Sequence, residues 1–390
     1  MTQDALAGRY HYPTDYRIGA GCISELPDAC LELGIARPLV VTDPGITGLD
    51  WFAAIVPALE ARGLAVEVFS GIDANPSSAH VEAGLARAAA HQADGCVLVG
   101  GGSAMDAGKC IALLAHNPGR VFDYEDVGDN WKRADADRIL PSIAVPTTAG
   151  TGSEVGRAAV ILDPADHDKK IVFHPRMQPD RVLADPALTL GLPPGLTAAT
   201  GMDALAHCFE AYCAPGYHPM ADGIALEGMR LISANLERAF ADGSDLAART
   251  HLLMAAAMGA TAFQKGLGLI HALSHPVGGL TGLHHGTANA IFQPYVMVHN
   301  RPVIEARMPR VAEALGLEGR RFEDVLDWTV ALRARLGLPH SLDGILDPSR
   351  VAEVVPMALR DPSLATNPKG CSAEEVEHVL RRSLAGDLAP

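Results

Sequence analysis

The sequence predicts an α/β N-terminal half followed by an all-α C-terminal half. Through about residue 188, short apolar runs alternate with amphipathic stretches, the pattern of parallel strands joined by crossover helices. Beyond Thr189 the β-branched clusters thin out, and long Ala/Leu/Met-rich segments with helical periodicity take over. Leu192-Pro193-Pro194-Gly195 punctuates the change, which divides the chain into 1–187 and 188–390. A cleft between two such halves, at the carboxyl ends of parallel strands, is where a small ligand is expected.

Taken in order, residues 39–42 read as a strand, followed by an amphipathic stretch over 51–62. A second strand spans 66–69 and a helix 78–92. The third strand, 96–99, opens through Gly100-Gly101-Gly102 into a helix running to about residue 115. Residues 116–137, with Gly119, Gly128 and several charges, read as an exposed excursion. The fourth strand, 139–145, ends at Pro146. Short strands at 158–162, 171–173 and 181–184 read as additions to the sheet's edge. Helices follow at 196–211, 220–241, 246–265, 303–315, 322–336, 348–360 and 373–384.

Charge and composition exclude several functions. With 31 Lys+Arg against 46 Asp+Glu, the net charge of −15 is wrong for holding nucleic acid or an anionic membrane surface. The seven cysteines are dispersed without a Cys-x-x-Cys pair, so free thiols are expected rather than a disulfide framework or a cysteine zinc site. There is no apolar leader over residues 1–16 and no run of 18 apolar residues, so a soluble, cytoplasmic protein is expected.

Four stretches carry chemistry. The first is Val99-Gly100-Gly101-Gly102-Ser103-Ala104-Met105-Asp106-Ala107-Gly108-Lys109, a glycine triplet between a strand and a helix. Backbone without Cβ atoms approaches a diphosphate closely, and the helix N-terminus adds free N–H groups. A tight structural turn would use the same residues, and the Gly-x-Gly-x-x-Gly fingerprint is absent. The second is Pro146-Thr147-Thr148-Ala149-Gly150-Thr151-Gly152-Ser153-Glu154, small hydroxyls among glycines suited to phosphate, ribose or amide groups, or simply to a capped polar loop. The third pairs Asp203 with His207, and the fourth pairs His271 with His275 and continues to His284-His285-Gly286. Residues four apart share a helix face. Each pair alone suits a buried hydrogen-bonded couple, but one carboxylate with several imidazoles in apolar helices calls for a divalent cation with an open position.

Together these residues resemble the iron-containing (type III) alcohol dehydrogenase family, in order and at family-like spacing from about Gly19 to Leu384, including Asn367-Pro368. The resemblance implies a Rossmann-like parallel sheet followed by an all-α domain, the dehydroquinate synthase-like architecture. It implies a metal-dependent NAD(H) alcohol dehydrogenase that reversibly oxidises a small primary alcohol to an aldehyde, and a homodimer whose first strands pair across subunits. It places Asp203, His207, His271 and His285 on Fe²⁺, with Zn²⁺ also suited, and His275 beside the metal as a proton relay. Cofactor positions implied are Asp43 at the adenosine ribose, Asn75, Gly101, Gly102, Ser103, Asp106, Thr147, Thr148 and Lys169, with Lys170 adjacent. Asp43 would favour NAD over NADP by repelling a 2′-phosphate, unless it only caps the turn before Pro44.

Two departures stand out. His284 replaces the proline that many relatives carry before the last ligand, and spacing to His275 favours His285 as the donor. The segment 264–268 is one residue shorter than in diol-oxidising relatives, and Lys265 within it reads as solvated rather than as a contact to a substrate carboxylate. A glycerol-dehydrogenase-like or hydroxy-acid enzyme is the close alternative. Occupied ligand positions disfavour a metal-independent maleylacetate reductase and a non-catalytic NADH or metal sensor.

Overall fold

The computed structural model describes residues 12, 14–166 and 168–388. Most of the N-terminal stretch read for a leader lies outside them. The chain divides into two compact units, one of Pro13–Thr148 with Gly152–Leu190, the other of Ala149–Thr151 with Gly191–Pro390.

The first unit runs β1 (Asp15–Ile18), α1 (Leu26–Glu32), β2 (Pro38–Val41), α2 (Pro44–Thr47), α3 (Asp50–Ala53), α4 (Ile55–Glu60), β3 (Glu67–Phe69), α5 (Ser78–His91), β4 (Gly95–Gly100), α6 (Gly102–Leu114), β5 (Ser142–Pro146), β6 (Ala158–Leu162), β7 (Lys169–Phe173) and β8 (Arg181–Ala184). Six strands form a parallel sheet in the order β1-β8-β5-β4-β2-β3. Every residue of β2, β4 and β5 is buried, which is why these strands read as continuous apolar runs: helices cover both faces. Val40, Val97, Val99, Ile143 and Val145 form the core of one face with Leu26, Phe52 and Leu59. In register, Gly100 lies opposite Pro146, so the chain leaves β4 and β5 side by side.

Several expectations need correction. The late strands are not edge additions: β8 lies inside the sheet between β1 and β5, while β6 and β7 form a separate antiparallel pair. Strand order depends on long-range pairing that no local pattern encodes. β1, with charged Asp15 and Arg17, and α1 were not anticipated, and the stretch 51–62 is two short helices. The excursion at 116–137 contains three single turns and buries Asn117, Val121 and Tyr124.

The second unit is helical: α7 (Pro194–Cys213), α8 (Pro219–Ala241), α9 (Leu246–Ala262), α10 (Leu269–Thr281), α11 (His285–Ile304), α12 (Met308–Leu315), α13 (Phe322–Arg335), α14 (Val351–Arg360) and α15 (Ala373–Ala385). The expected helix over 303–315 is instead the end of α11, a turn at Glu305–Arg307, and α12, which restarts where Pro309 is tolerated in a first turn. Every residue of α7 from Thr197 to Cys213 is buried, so this helix runs through the centre of the unit. Among the described residues no single helix is long and apolar enough to cross a membrane. All seven cysteines are free, five of them buried.

Candidate metal centre and cofactor loops

A central helix can carry Asp203, His207 and Glu210 only if each finds a partner, because an unpaired buried polar group costs roughly 1 to 3 kcal/mol. The partners come from α10 and α11. Asp203 Oδ1 lies 3.5 Å from His285 Nε2, 3.8 Å from His207 Nε2 and 4.0 Å from His271 Nε2. The four donor atoms all fall within 4.8 Å of one another. His207 and His271 stack with ring centroids 4.7 Å apart. Gly286, one residue into α11, lets this helix reach α7: a Cβ there would stand 2.1 Å from the Ala199 carbonyl oxygen and 3.2 Å from Asp203 Cβ.

The donors suit a divalent ion. Four ligands about 2.1 Å from one centre stand roughly 3.4 Å apart in a tetrahedral arrangement, and the shortest separations here are near that. Burial pushes the His207 imidazole down to about 4 against the pull of Asp203, so this ring is neutral and its lone pair is available at pH 7. His271 behaves oppositely: burial disfavours its charge, but the hydrogen bond and charge of Glu210 outweigh this and raise its pKa. Its Nδ1 faces Glu210 Oε2 at 2.6 Å, which assigns the ring proton to Nδ1 and turns Nε2 toward Asp203. Asn289 donates from Nδ2 to Asp203 Oδ1 at 2.7 Å.

His275 stands outside this donor set, stacked on His285 at 5.2 Å. Its Nδ1 is 2.6 Å from Asp361 Oδ2, a residue that follows α14. Burial raises the Asp361 carboxyl, but the charge and hydrogen bond of His275, with bonds from Ser363, hold it below the usual range. Sequence reasoning missed Asp361, Glu210 and Asn289. Glu210 alone carried a signal, standing three residues after His207 on the same helix face. His284 is the exposed residue capping α11, and its neighbour His285 is the one in the cluster. Lys265 is not solvated: its side chain is buried, and Nζ donates to the Tyr212 carbonyl and to Asp222.

The expected cofactor residues lie in the first unit. Gly100 has φ +154°, and a Cβ on it would sit 2.7 Å from Ala104 Cβ. Gly101 caps α6 beside Thr148, whose side chain would lie 3.2 Å from a Cβ at 101, so the two loops touch. Ser103 is in the first turn of α6, and the Thr147 N–H donates to the Gly100 carbonyl at 3.0 Å. Asp43 does cap a turn, with Oδ1 accepting from Gly45 and Ile46 at 2.9 and 3.2 Å, while Oδ2 would lie 3.5 Å from a Cβ placed on Gly100. Asn75 adopts a left-handed φ of 58° before Pro76. Lys169 opens β7, and the neighbouring Lys170 is engaged by Asp163 and Asp166.

Asp106, another of the expected cofactor residues, is also engaged within the fold. Its Oδ1 accepts from Ser153 Oγ at 2.5 Å and lies 3.1 Å from Lys109 Nζ, and its Oδ2 accepts from the Val160 N–H at 2.9 Å. Its oxygens thus tie α6 to the end of the second loop at Ser153 and to β6 at Val160.

A parallel sheet with a glycine turn and a hydroxyl loop at adjacent strand ends, in a chain whose helical unit bears one carboxylate and three imidazoles, is the equipment of a nucleotide-linked metal dehydrogenase. Residues 13–186 match the family model "Iron-containing alcohol dehydrogenase", and 197–384 match "Fe-containing alcohol dehydrogenase family, C-terminal". The chain is 42% identical to 4-hydroxybutyrate dehydrogenase of Cupriavidus necator, over 96% of this chain and 99% of that protein. A crystal structure of 1,3-propanediol oxidoreductase superposes with a TM-score of 0.90 at 32% identity, covering 97% of this chain and 100% of that one. Sulfoacetaldehyde reductase from Bifidobacterium kashiwanohense, solved with NAD⁺, gives 0.88 at 27% identity over 98% and 100%. The chain belongs to the iron-containing alcohol dehydrogenase family. It is an oxidoreductase acting on CH–OH groups with NAD and a divalent metal as cofactors.

Proposed function

We propose that the protein interconverts a small primary alcohol and its aldehyde by hydride exchange between the carbinol carbon and NAD(H). The observation that carries this reading is the convergence of Asp203, His207 and His271, all buried, with the partly exposed His285, four donors suited to Fe²⁺ or Zn²⁺. A divalent ion bound there supplies Lewis acidity, which lowers the pKa of a hydroxyl and polarises a carbonyl. Asp203 would balance part of the cation's charge, and the three neutral imidazoles would hold it without adding more. His275, oriented through Nδ1 by Asp361, has Nε2 to take the alcohol proton in oxidation and return it in reduction.

The loop at Gly101, Gly102 and Ser103 would bind the diphosphate through backbone N–H groups at the start of α6. Thr147 and Thr148 supply hydroxyls beside it, with Asn75 and Lys169 as further contacts. Asp43 Oδ2 would accept from the adenosine ribose, because only Oδ1 is committed to the turn. Residues 1–187 would then serve as the NAD-binding domain and 188–390 as the metal and substrate domain. A cytoplasmic homodimer is the accompanying proposal, supported by the position of β1 at the sheet's edge.

A hydroxy acid is the second reading, favoured by the 42% identity to 4-hydroxybutyrate dehydrogenase. NADH formation with methanol, ethanol, propane-1,3-diol, glycerol and 4-hydroxybutyrate tests both readings. Turnover that needs added Fe²⁺ or Zn²⁺ is the expected result. No turnover with any alcohol, in either direction, would refute the proposed reaction.

A further inference from the structure

Glu210 is one of the most heavily committed carboxylates in the second unit, and nothing in the proposed reaction uses it. It is buried on α7, three residues after His207 and seven after Asp203, so all three side chains share one helix face. Its two oxygens do different things. Oε2 meets His271 Nδ1 at 2.6 Å, and Oε1 accepts from the Ile270 backbone N–H at 2.7 Å. Ile270 is in the first turn of α10, where backbone N–H groups have no partner within the helix. The preceding N–H, of Leu269, is taken by Asn367 Oδ1 at 3.1 Å, which gives the asparagine of Asn367-Pro368 a structural task. A Cβ at 268 would lie 2.7 Å from Asn367 Oδ1 and 2.9 Å from Glu210 Oε1, so any larger residue there would push both acceptors from their places.

We infer that Glu210 is a positioning residue for the metal centre, acting through His271. One carboxylate fixes both the height of α10, by holding its first turn, and the tautomer of His271, by accepting its Nδ1 proton. Nε2 is thereby left with a lone pair aimed toward the Asp203 carboxylate. Helix α7 thus contributes two donors directly and a third by remote orientation. Glutamine at 210 is nearly isosteric but cannot do both jobs. Its single carbonyl oxygen can serve Ile270 or His271, and its NH₂ turned toward Nδ1 would move the ring proton to Nε2, the atom a metal needs.

The inference rests on the four-donor metal site proposed above, and its test is independent of turnover. Metal-stripped wild type and Glu210→Gln are titrated with Co²⁺ in competition with a chromophoric chelator, with the visible Co²⁺ absorption recorded alongside. NADH binding by fluorescence, far-UV circular dichroism and thermal melting report on the rest of the protein. The expected result is about a 10- to 100-fold weaker Co²⁺ affinity with an altered absorption band, NADH affinity being unchanged. Should Glu210→Gln not fold, Glu210→Asp, which keeps the charge but retracts it by one methylene, carries the same comparison. Wild-type Co²⁺ affinity and spectrum in a folded variant would overturn the assignment, because a carboxylate that merely stabilises the helix lowers the melting temperature alone. Failure of the proposed reaction shows separately, as a wild-type enzyme that binds Co²⁺ yet turns over no alcohol.

Discussion

Replacing Glu154 by glutamine isolates the energetic burden of one buried carboxyl at the end of the hydroxyl-rich loop that follows β5. Glu154 lies in the turn Ser153–Val155, 2% exposed, and its Oε1 has no hydrogen-bond partner. Burial pushes its pKa from 4.5 up to about 7, opposed only by its own backbone N–H and the charge of Lys109. Between those pH values the folded chain holds a proton that the unfolded chain has released. Stability therefore falls as pH rises from about 4.5 to about 7 and stays reduced above it. At about 1.4 kcal/mol per pKa unit, the loss at pH 8 is on the order of 3 kcal/mol. Glu154→Gln removes this titration while keeping the side chain's shape. Denaturant unfolding of both proteins at pH 5, 6, 7 and 8 should show similar stability at pH 5 and a variant more stable by up to about 3 kcal/mol at pH 8. A gap that is the same at pH 5 and pH 8 would refute the reasoning, because it would mean that Glu154 carries the same charge in the folded and unfolded chain.

Asp361→Asn should lower kcat at least about 10-fold by loosening the orientation of His275, with Co²⁺ and NADH affinities unchanged; intact kcat would move the proton relay elsewhere. Asp43→Gly should relax discrimination against NADP by about 10-fold or more, with little change in melting temperature, since glycine is a tolerable cap. Unchanged kcat/KM ratios for the two cofactors would leave Asp43 as a turn residue only. Lys265→Met strands Asp222 without its buried partner and should destabilise the protein by about 3 kcal/mol. A rise in KM confined to carboxylate-bearing substrates would instead place Lys265 in the substrate pocket.

Much of the candidate metal site was legible because helical spacing is a strong local rule. Asp203 and His207 are one turn apart, as are His271 and His275, and the choice of His285 over His284 followed from distance along the chain. The residues that aim those side chains were not legible for the same reason. Asp361 reaches His275 from 86 positions away, and Asn289 reaches Asp203 across the same separation. Lys265 was misjudged because lysine's usual exposure is only a statistical expectation, and here Asp222 and the Tyr212 carbonyl satisfy it in the interior. The contacts that Asp106 makes with Ser153 and Val160 were not legible either, because those partners lie 47 and 54 positions away.

Hydrophobic period and punctuation, both properties of neighbouring residues, determined from the sequence alone that parallel strands come first and helices afterwards. They also determined where β4 opens into α6 and which faces of α7 and α10 bear ligating groups. The tertiary structure decided the strand order, with β8 inside the sheet, because hydrogen bonding between strands is indifferent to chain order. It also decided which ring nitrogen of His271 and of His275 is presented to the site. That choice rests on single carboxylate oxygens 2.6 Å away, delivered by other helices or their ends, and no local pattern contains such a distance.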